Sequence, residues 1–417
     1  MEIKPKFECL QPAVRRLLHT DWFERIAADE GIHFEHSHPG EPLILRTSDG
    51  LEVAVEEISD APFVRFRSCD PRREDLVGSL ARKAIDRIAA GDHGEIVWHH
   101  IPLFETDFRF QWRNPFGVLF QRLATQRVVS GWYRLGEEVL LEFSQDHSPD
   151  SQPQSIFTPK TTVNAYIRVA APRAGRFSEF CASSLVERIG AICTFAVGRS
   201  LVGPPVALHA NPDLFVELEQ RIADRHVPPL SRKNISLDVL SPRHLPGGEE
   251  YHGKLCTALI TFEAAFQVAH DAVACALYVV VAEGLGTPNA SWKYQKVTDR
   301  FVRFYEETIP DHLDAMIDHP DFEKVFGIKR GRRANRSVRR ALLNAMYEYR
   351  SVRVHQGLPA SLRDIVNDTR KREDQQRAFF CTFAEEAILS YLAAPRSSLI
   401  GAPDTQPIRQ LTGPSSS

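Results

Sequence analysis

Residues 335–357 read NRSVRRALLNAMYEYRSVRVHQG, and how this stretch folds decides what the second half of the chain builds. Val338, Leu342, Ala345, Tyr349 and Val352 recur at spacings of four, three, four and three, which is one apolar stripe along a helix. Gly357 stands where a helix end accepts a left-handed residue, and Pro359 follows. The spacing therefore predicts a helix over 335–356 with His355 in its last turn. There the negative end of the helix dipole favours imidazolium, and histidine can both give and take protons near neutrality. Arg350 lies about 140° round an ideal helix from His355. Ser351 lies one turn before His355, on the same face. The bare spacing is not selective: RIADRH at 221–226 repeats it, and RIAAGDH at 87–93 is one residue longer.

Working outward, the stretches at 255–286, 289–310 and 375–394 also fit a helical period and carry no strand signals. A helical domain is expected over 251–395. Upstream, PLILRT, LEVAVEEI, PFVRFRS, GEIVWHHIPLF and EEVLLEF are short and rich in β-branched or aromatic residues, as strands are. Asp49-Gly50 between two of them is a hairpin signal. A helix is expected at 73–90. Proline-rich stretches at 144–160 and 227–250 suggest boundaries. They divide the chain into a strand-rich domain at 1–150, a mixed region at 151–250 with a strand near TTVNAYIRVA and helices at 178–197 and 212–225, and the helical domain. A tail at 396–417 is expected to be disordered. The fold class expected is multidomain α+β, strand-rich first and all-α last.

The 417 residues are 43% hydrophobic and 25% charged, with a formal net charge of −3. That suits a globular protein and gives no global reason for nucleic acid or membrane; any such partner has to be found in local charge. The seven scattered cysteines form no C-x-x-C, as expected of reduced thiols in a cytoplasm. The N-terminal residues lack the apolar run of a signal peptide. The apolar run at 272–282 is too short for a membrane span and reads as a buried helix.

Tyr347, Tyr349, Arg350, polar Ser351, His355 and Gly357, late in an all-helical stretch, resemble the motif of the HEPN superfamily, more loosely its ApeA-like branch. The resemblance spans about 255–394, with a looser likeness in ERIGAICTFAVGRSLVG upstream. Gln356 between His355 and Gly357, and Arg353, depart from the usual pattern. The resemblance implies a metal-independent endoribonuclease, needing no cofactor and acting as a homodimer with a composite site. His355 would be the general base or acid, Arg350 would stabilise the phosphorane, and Ser351 would orient either. It also implies phage defence or stress-induced growth arrest; from the architecture alone, the strand-rich N-terminal part is a candidate sensor, with an unknown trigger or antitoxin as a further partner. Members without nuclease activity leave a second reading, a dimerisation or RNA-binding module.

Lys329, Arg330, Arg332, Arg333, Arg336, Arg339 and Arg340 crowd the approach to this helix with no acid among them. Together with Arg353 they are candidates for phosphate contact; the alternative is a solvated face. His33, His36 and His38 with Glu35 and Glu41 are a weaker candidate for a metal, at no spacing that matches an established site. His99 and His100 adjoin on an expected strand and so point to opposite faces. Trp292, Tyr294, Phe301, Phe304 and Tyr305 interleave with cations and read as core first, base-stacking second. No Walker loop, G-x-G-x-x-G or G-x-S-x-G is present in the sequence.

Overall fold

Strand residues alternate between two faces, and Val64–Ser68 shows it plainly: Val64, Phe66 and Ser68 are buried while Arg65 and Arg67 face solvent. The computed structural model of the chain describes residues 12–38, 43–57, 64–92, 94–105, 130–145, 161–198, 200–209, 214–223, 227–241, 250–268, 271–286, 296–330, 335–356 and 370–393. Residues 146–160 and 242–249 of the two proline-rich stretches, the 396–417 tail, Gly357 and Pro359 lie outside them. The described residues combine antiparallel sheets, mostly N-terminal, with helices that dominate the C-terminal part, a mixed α+β arrangement. They divide into two units, one ending before Glu250 and the other beginning there.

The first unit opens on α1 (Pro12–Asp29), followed by strands β1 (Phe34–His38), β2 (Leu43–Thr47), β3 (Glu52–Glu57) and β4 (Val64–Ser68), paired in that order as an antiparallel sheet. β2 and β3 form the expected hairpin. Arg46 faces Glu52 across it at 2.7 Å, and Gly50 takes φ +82° where a side chain would strain. α2 (Glu74–Ala89) packs Val77, Leu80, Ala84 and Ile88 inward. The sequence reading missed α1. Its core face carries His19, Thr20, Asp21 and Glu24 beside Leu18, Trp22 and Phe23, so no clean apolar stripe announces it.

β5 (Glu95–Glu105), β6 (Gly131–Leu135), β7 (Val139–Gln145) and β8 (Thr161–Ala171) form the second sheet, in the order β5-β8-β7-β6. Its edge beyond β5 is made by β9 (Leu201–Val202) and β10 (Leu208–His209). β8 lies between β5 and β7, so 144–160 joins two adjacent strands of one sheet and does not separate a domain at 1–150 from a region at 151–250. The expected helix at 178–197 is two, α3 (Arg176–Ser183) and α4 (Val186–Val197), and α5 (Phe215–Ala223) covers Trp98, Leu140 and Tyr166 on the sheet's other face. His99 is wholly buried, whereas His100 points to the opposite face and bonds Asn164 at 2.9 Å. A two-stranded ribbon, β11 (Ser231–Arg232) and β12 (Ile235–Ser236), ends the unit.

Seven helices make the second unit among the described residues: α6 (Glu250–Gln267), α7 (Asp271–Leu285), α8 (Val297–Thr308), α9 (Pro310–Asp318), α10 (Phe322–Phe326), α11 (Asn335–Gln356) and α12 (Arg370–Ala393). The apolar α7 is the hub against which α6, α11 and α12 pack. Phe301 and Tyr305 are buried, packed on Phe383, with the Tyr305 hydroxyl donating to the Ala282 carbonyl, so these aromatics are core. Phe304 is partly buried; Trp292 and Tyr294 lie outside the described residues. Arg377 of α12 is a buried staple. It pairs with Asp271 at 2.7 Å and donates to the Ala265 and Val268 carbonyls at the end of α6 at 2.7 and 2.9 Å. Among the described residues one helical stretch, Arg176–Val197, is long and apolar enough to cross a membrane, and 67% of its apolar window is buried inside the fold.

Candidate functional site

α11 continues without a break through Gln356, so Arg350, Ser351 and His355 share one regular helix, with His355 in its last turn. The helix does not deform to bring residues 350 and 355 round to one side. Its buried face differs from the expected stripe. Among its described side chains Val338, Leu342, Leu343, Met346 and Tyr347 are buried, Ala345 and Tyr349 are only partly covered, and Val352 lies outside the described side chains. The face is turned because α11 packs against α7 and α8 together. Residues 343, 347 and 350 make one row, and the row carries Arg350 inward, where the stripe alone leaves it at the margin.

The consequence is an ion pair that the motif alone does not reveal. Arg350 Nη2 lies 2.8 Å from Glu283 Oε2 of α7, with the side chains 18% and 25% exposed. The Tyr347 hydroxyl donates to the other oxygen of the same carboxylate at 3.3 Å, and the Arg350 guanidinium sits 5.8 Å from the Tyr347 ring centre. Burial, then the Glu283 charge, raises the pKa of Tyr347, so its hydroxyl keeps the proton it donates. Among the described residues, buried Arg350 Nε has no hydrogen-bond partner. The guanidinium is thus held on one side by a carboxylate and keeps an unused donor. A charge-assisted bond of this kind stabilises by about 1.5–3 kcal/mol. Ser351 is half-buried. The side chains of Arg353 and His355 lie outside the described residues.

The basic approach to α11 is largely paired with acids. Arg336 and Arg340 both reach Glu306 of α8, Arg339 binds Asp314 of α9 through two nitrogens, and Arg330 meets Glu323. The Arg330 backbone N–H also donates to Glu323, and with the nearby cations it lowers that carboxyl's pKa. Lys329 is exposed, and Arg332 and Arg333 lie outside the described residues. The sequence reading missed Glu283, Glu306 and Asp314. They sit 67, 30 or 34, and 25 residues from their partners, and only packing brings such pairs together.

Of the N-terminal histidine group, His33 and Glu35 are exposed, and the other members' side chains are outside the described residues. Among the described residues no three His, Cys, Asp or Glu are placed to share a metal ion. The other histidines of the repeated spacing, His93 and His226, are not described; their arginines bind Asp92 and Glu217.

Comparisons with family models, with curated proteins and with solved structures find no match to this chain.

Proposed function

We propose that the C-terminal unit is a metal-independent, HEPN-type endoribonuclease whose working residues are Arg350, Ser351 and His355. The observation that supports this most is the fixed position of Arg350: a partly buried guanidinium, tethered by Glu283 and Tyr347, with Nε unsatisfied. An arginine pre-oriented in this way stabilises negative charge without reorganising when the charge develops.

In RNA the 2′-hydroxyl is already held near the phosphorus, so proximity supplies part of the rate. His355 takes the 2′-OH proton as O2′ attacks phosphorus, and the 5′-oxygen leaves with a proton. The products are a 2′,3′-cyclic phosphate and a 5′-hydroxyl. Because α11 holds residues 350 and 355 far apart round its axis, a second copy of the chain supplies the complementary residue. This makes the site composite across a homodimer. A cytoplasmic role in phage defence or growth arrest suits such an activity, with the first unit available to sense a trigger.

The test is an oligonucleotide pair, one all-RNA and one with 2′-deoxy nucleotides at every position. The RNA should be cut and the deoxy strand left intact; cutting of the deoxy strand overturns the mechanism. One observation favours the second reading, a non-catalytic binding or dimerisation module: Arg350 and most of the described cations leading into α11 are engaged by acids of neighbouring helices.

A further inference from the structure

Arg336 and Arg340 stand one turn apart on α11, their side chains 73% and 53% exposed, and both bind a Glu306 side chain that is only 8% exposed. Each does so through Nε, Arg336 to Oε1 at 3.1 Å and Arg340 to Oε2 at 3.0 Å. Neither has a further partner among the described residues. One buried carboxylate therefore anchors two guanidinium groups by their inner nitrogens and leaves the outer nitrogens of both uncommitted. An arginine tethered in this way loses less rotamer freedom on binding than a free one.

Charge sets what fits there. The cleft is about 530 Å³, lined by Arg303, Glu306, Glu307, Arg336, Arg339 and Arg340. Arg303 is matched by Glu307 at 3.0 Å, and Arg339 by Asp314. That leaves Arg336 and Arg340 sharing Glu306, two guanidinium groups on one carboxylate, while Asp311 also acts on Arg339. A phosphodiester carries one negative charge and offers oxygens to two forks. A cation is repelled, and an apolar ligand finds a lining of charged side chains.

We propose that this cleft holds one backbone phosphodiester of single-stranded RNA, gripped by Arg336 and Arg340 and aimed by Glu306. The proposal rests on reading the C-terminal unit as acting on RNA, and it supplies a contact remote from the cut. Arg340 and His355 are fifteen residues apart on one helix, about 22 Å.

The test titrates a fluorescent single-stranded RNA onto protein carrying His355→Ala in excess EDTA, so that binding is read without cleavage. Adding Arg336→Gln and Arg340→Gln should weaken binding about tenfold and lower the slope of log affinity against log salt by about 0.7, the share of one phosphate on a single strand. Glu306→Gln, which removes the competing charge and keeps an acceptor, should tighten binding several-fold. A helix signal and melting curve like the parent's ensure that each variant is folded. Because Arg336 is mostly exposed, Arg336→Gln alone serves if the double variant is not. Unchanged affinity and salt slope overturn the proposal. So does tighter binding of polyglutamate than of RNA, which marks the cleft as a dock for an acidic protein. Loss of RNA binding in the arginine variants, beside a chain with His355 intact that never cuts RNA, supports the cleft and sinks the nuclease. Cutting by the chain with His355 intact, with binding unaltered in the arginine variants, does the reverse.

Discussion

Asp21 in the first unit and Arg350 in the second are both charged groups that a helix carries inward, and the two are accommodated in opposite ways. Arg350 meets the Glu283 carboxylate on neighbouring α7. Asp21 is wholly buried and accepts one backbone N–H, from Phe177 at 2.9 Å, at the start of α3. Burial dominates, and with the Glu24 charge it outweighs that bond and the nearby Arg173 and Arg176, so the Asp21 pKa rises to about 7. Gly175 allows the approach, since a Cβ there would lie 2.7 Å from an Asp21 oxygen. A buried charge with a full partner locks two helices together; one with half a partner makes the fold depend on pH.

The largest stability effect should come from the buried Arg377–Asp271 pair of the second unit. Arg377→Ala strips Asp271 of its cation and two helix-end carbonyls of their donor, and should cost about 3–5 kcal/mol. The helix signal in a urea titration measures it. A loss under about 1 kcal/mol would mean that buried pairing does not distinguish the second unit.

Next comes Asp21→Asn, which keeps the acceptor for Phe177 and removes the titration. A folded-state pKa raised from 3.8 to about 7 means that the native state holds the extra proton across that window. The stabilisation is then complete on the acid side of the window and is lost as pH rises through about 7. His19, lowered to about 4 first by burial and then by Arg15, has the opposite slope between about 4 and its ordinary 6.5. The difference between wild type and Asp21→Asn isolates the carboxyl. The variant should gain on the order of 2–4 kcal/mol relative to wild type between the two limits. Parallel stability curves would show that Asp21 does not titrate in the fold.

Glu283→Gln is the smaller perturbation, because the pair is partly exposed and glutamine still accepts from Tyr347. It should cost about 1–2 kcal/mol and, on the proposed function, slow RNA cleavage by letting Arg350 drift. Rescue of fold but not of rate by added salt would separate the two roles. An unchanged rate would detach Glu283 from the site.

These same groups mark where the sequence could be read and where it could not. Strands such as VRFRS alternate buried and exposed residues, so their period was visible. The apolar α7 gave itself away by composition. α1 did not, because His19, Asp21 and Glu24 occupy positions that a pattern reader assigns to solvent. The turn of α11 about its axis was equally hidden: Ala345 and Tyr349 fit a stripe as well as Leu343 and Met346 do, and packing against two helices chooses between them. Arg350 and His355 were legible as a spacing. The acid that holds Arg350 was not, since it comes from a helix 67 residues earlier.

The central claim is tested most directly by incubating the purified protein with mixed cellular RNA in excess EDTA, beside His355→Ala. Wild type should cut RNA to 2′,3′-cyclic phosphate ends, and the variant should be slower by about a hundredfold or more. Equal cleavage by the two proteins would contradict the account and leave the end of α11 a structural helix terminus.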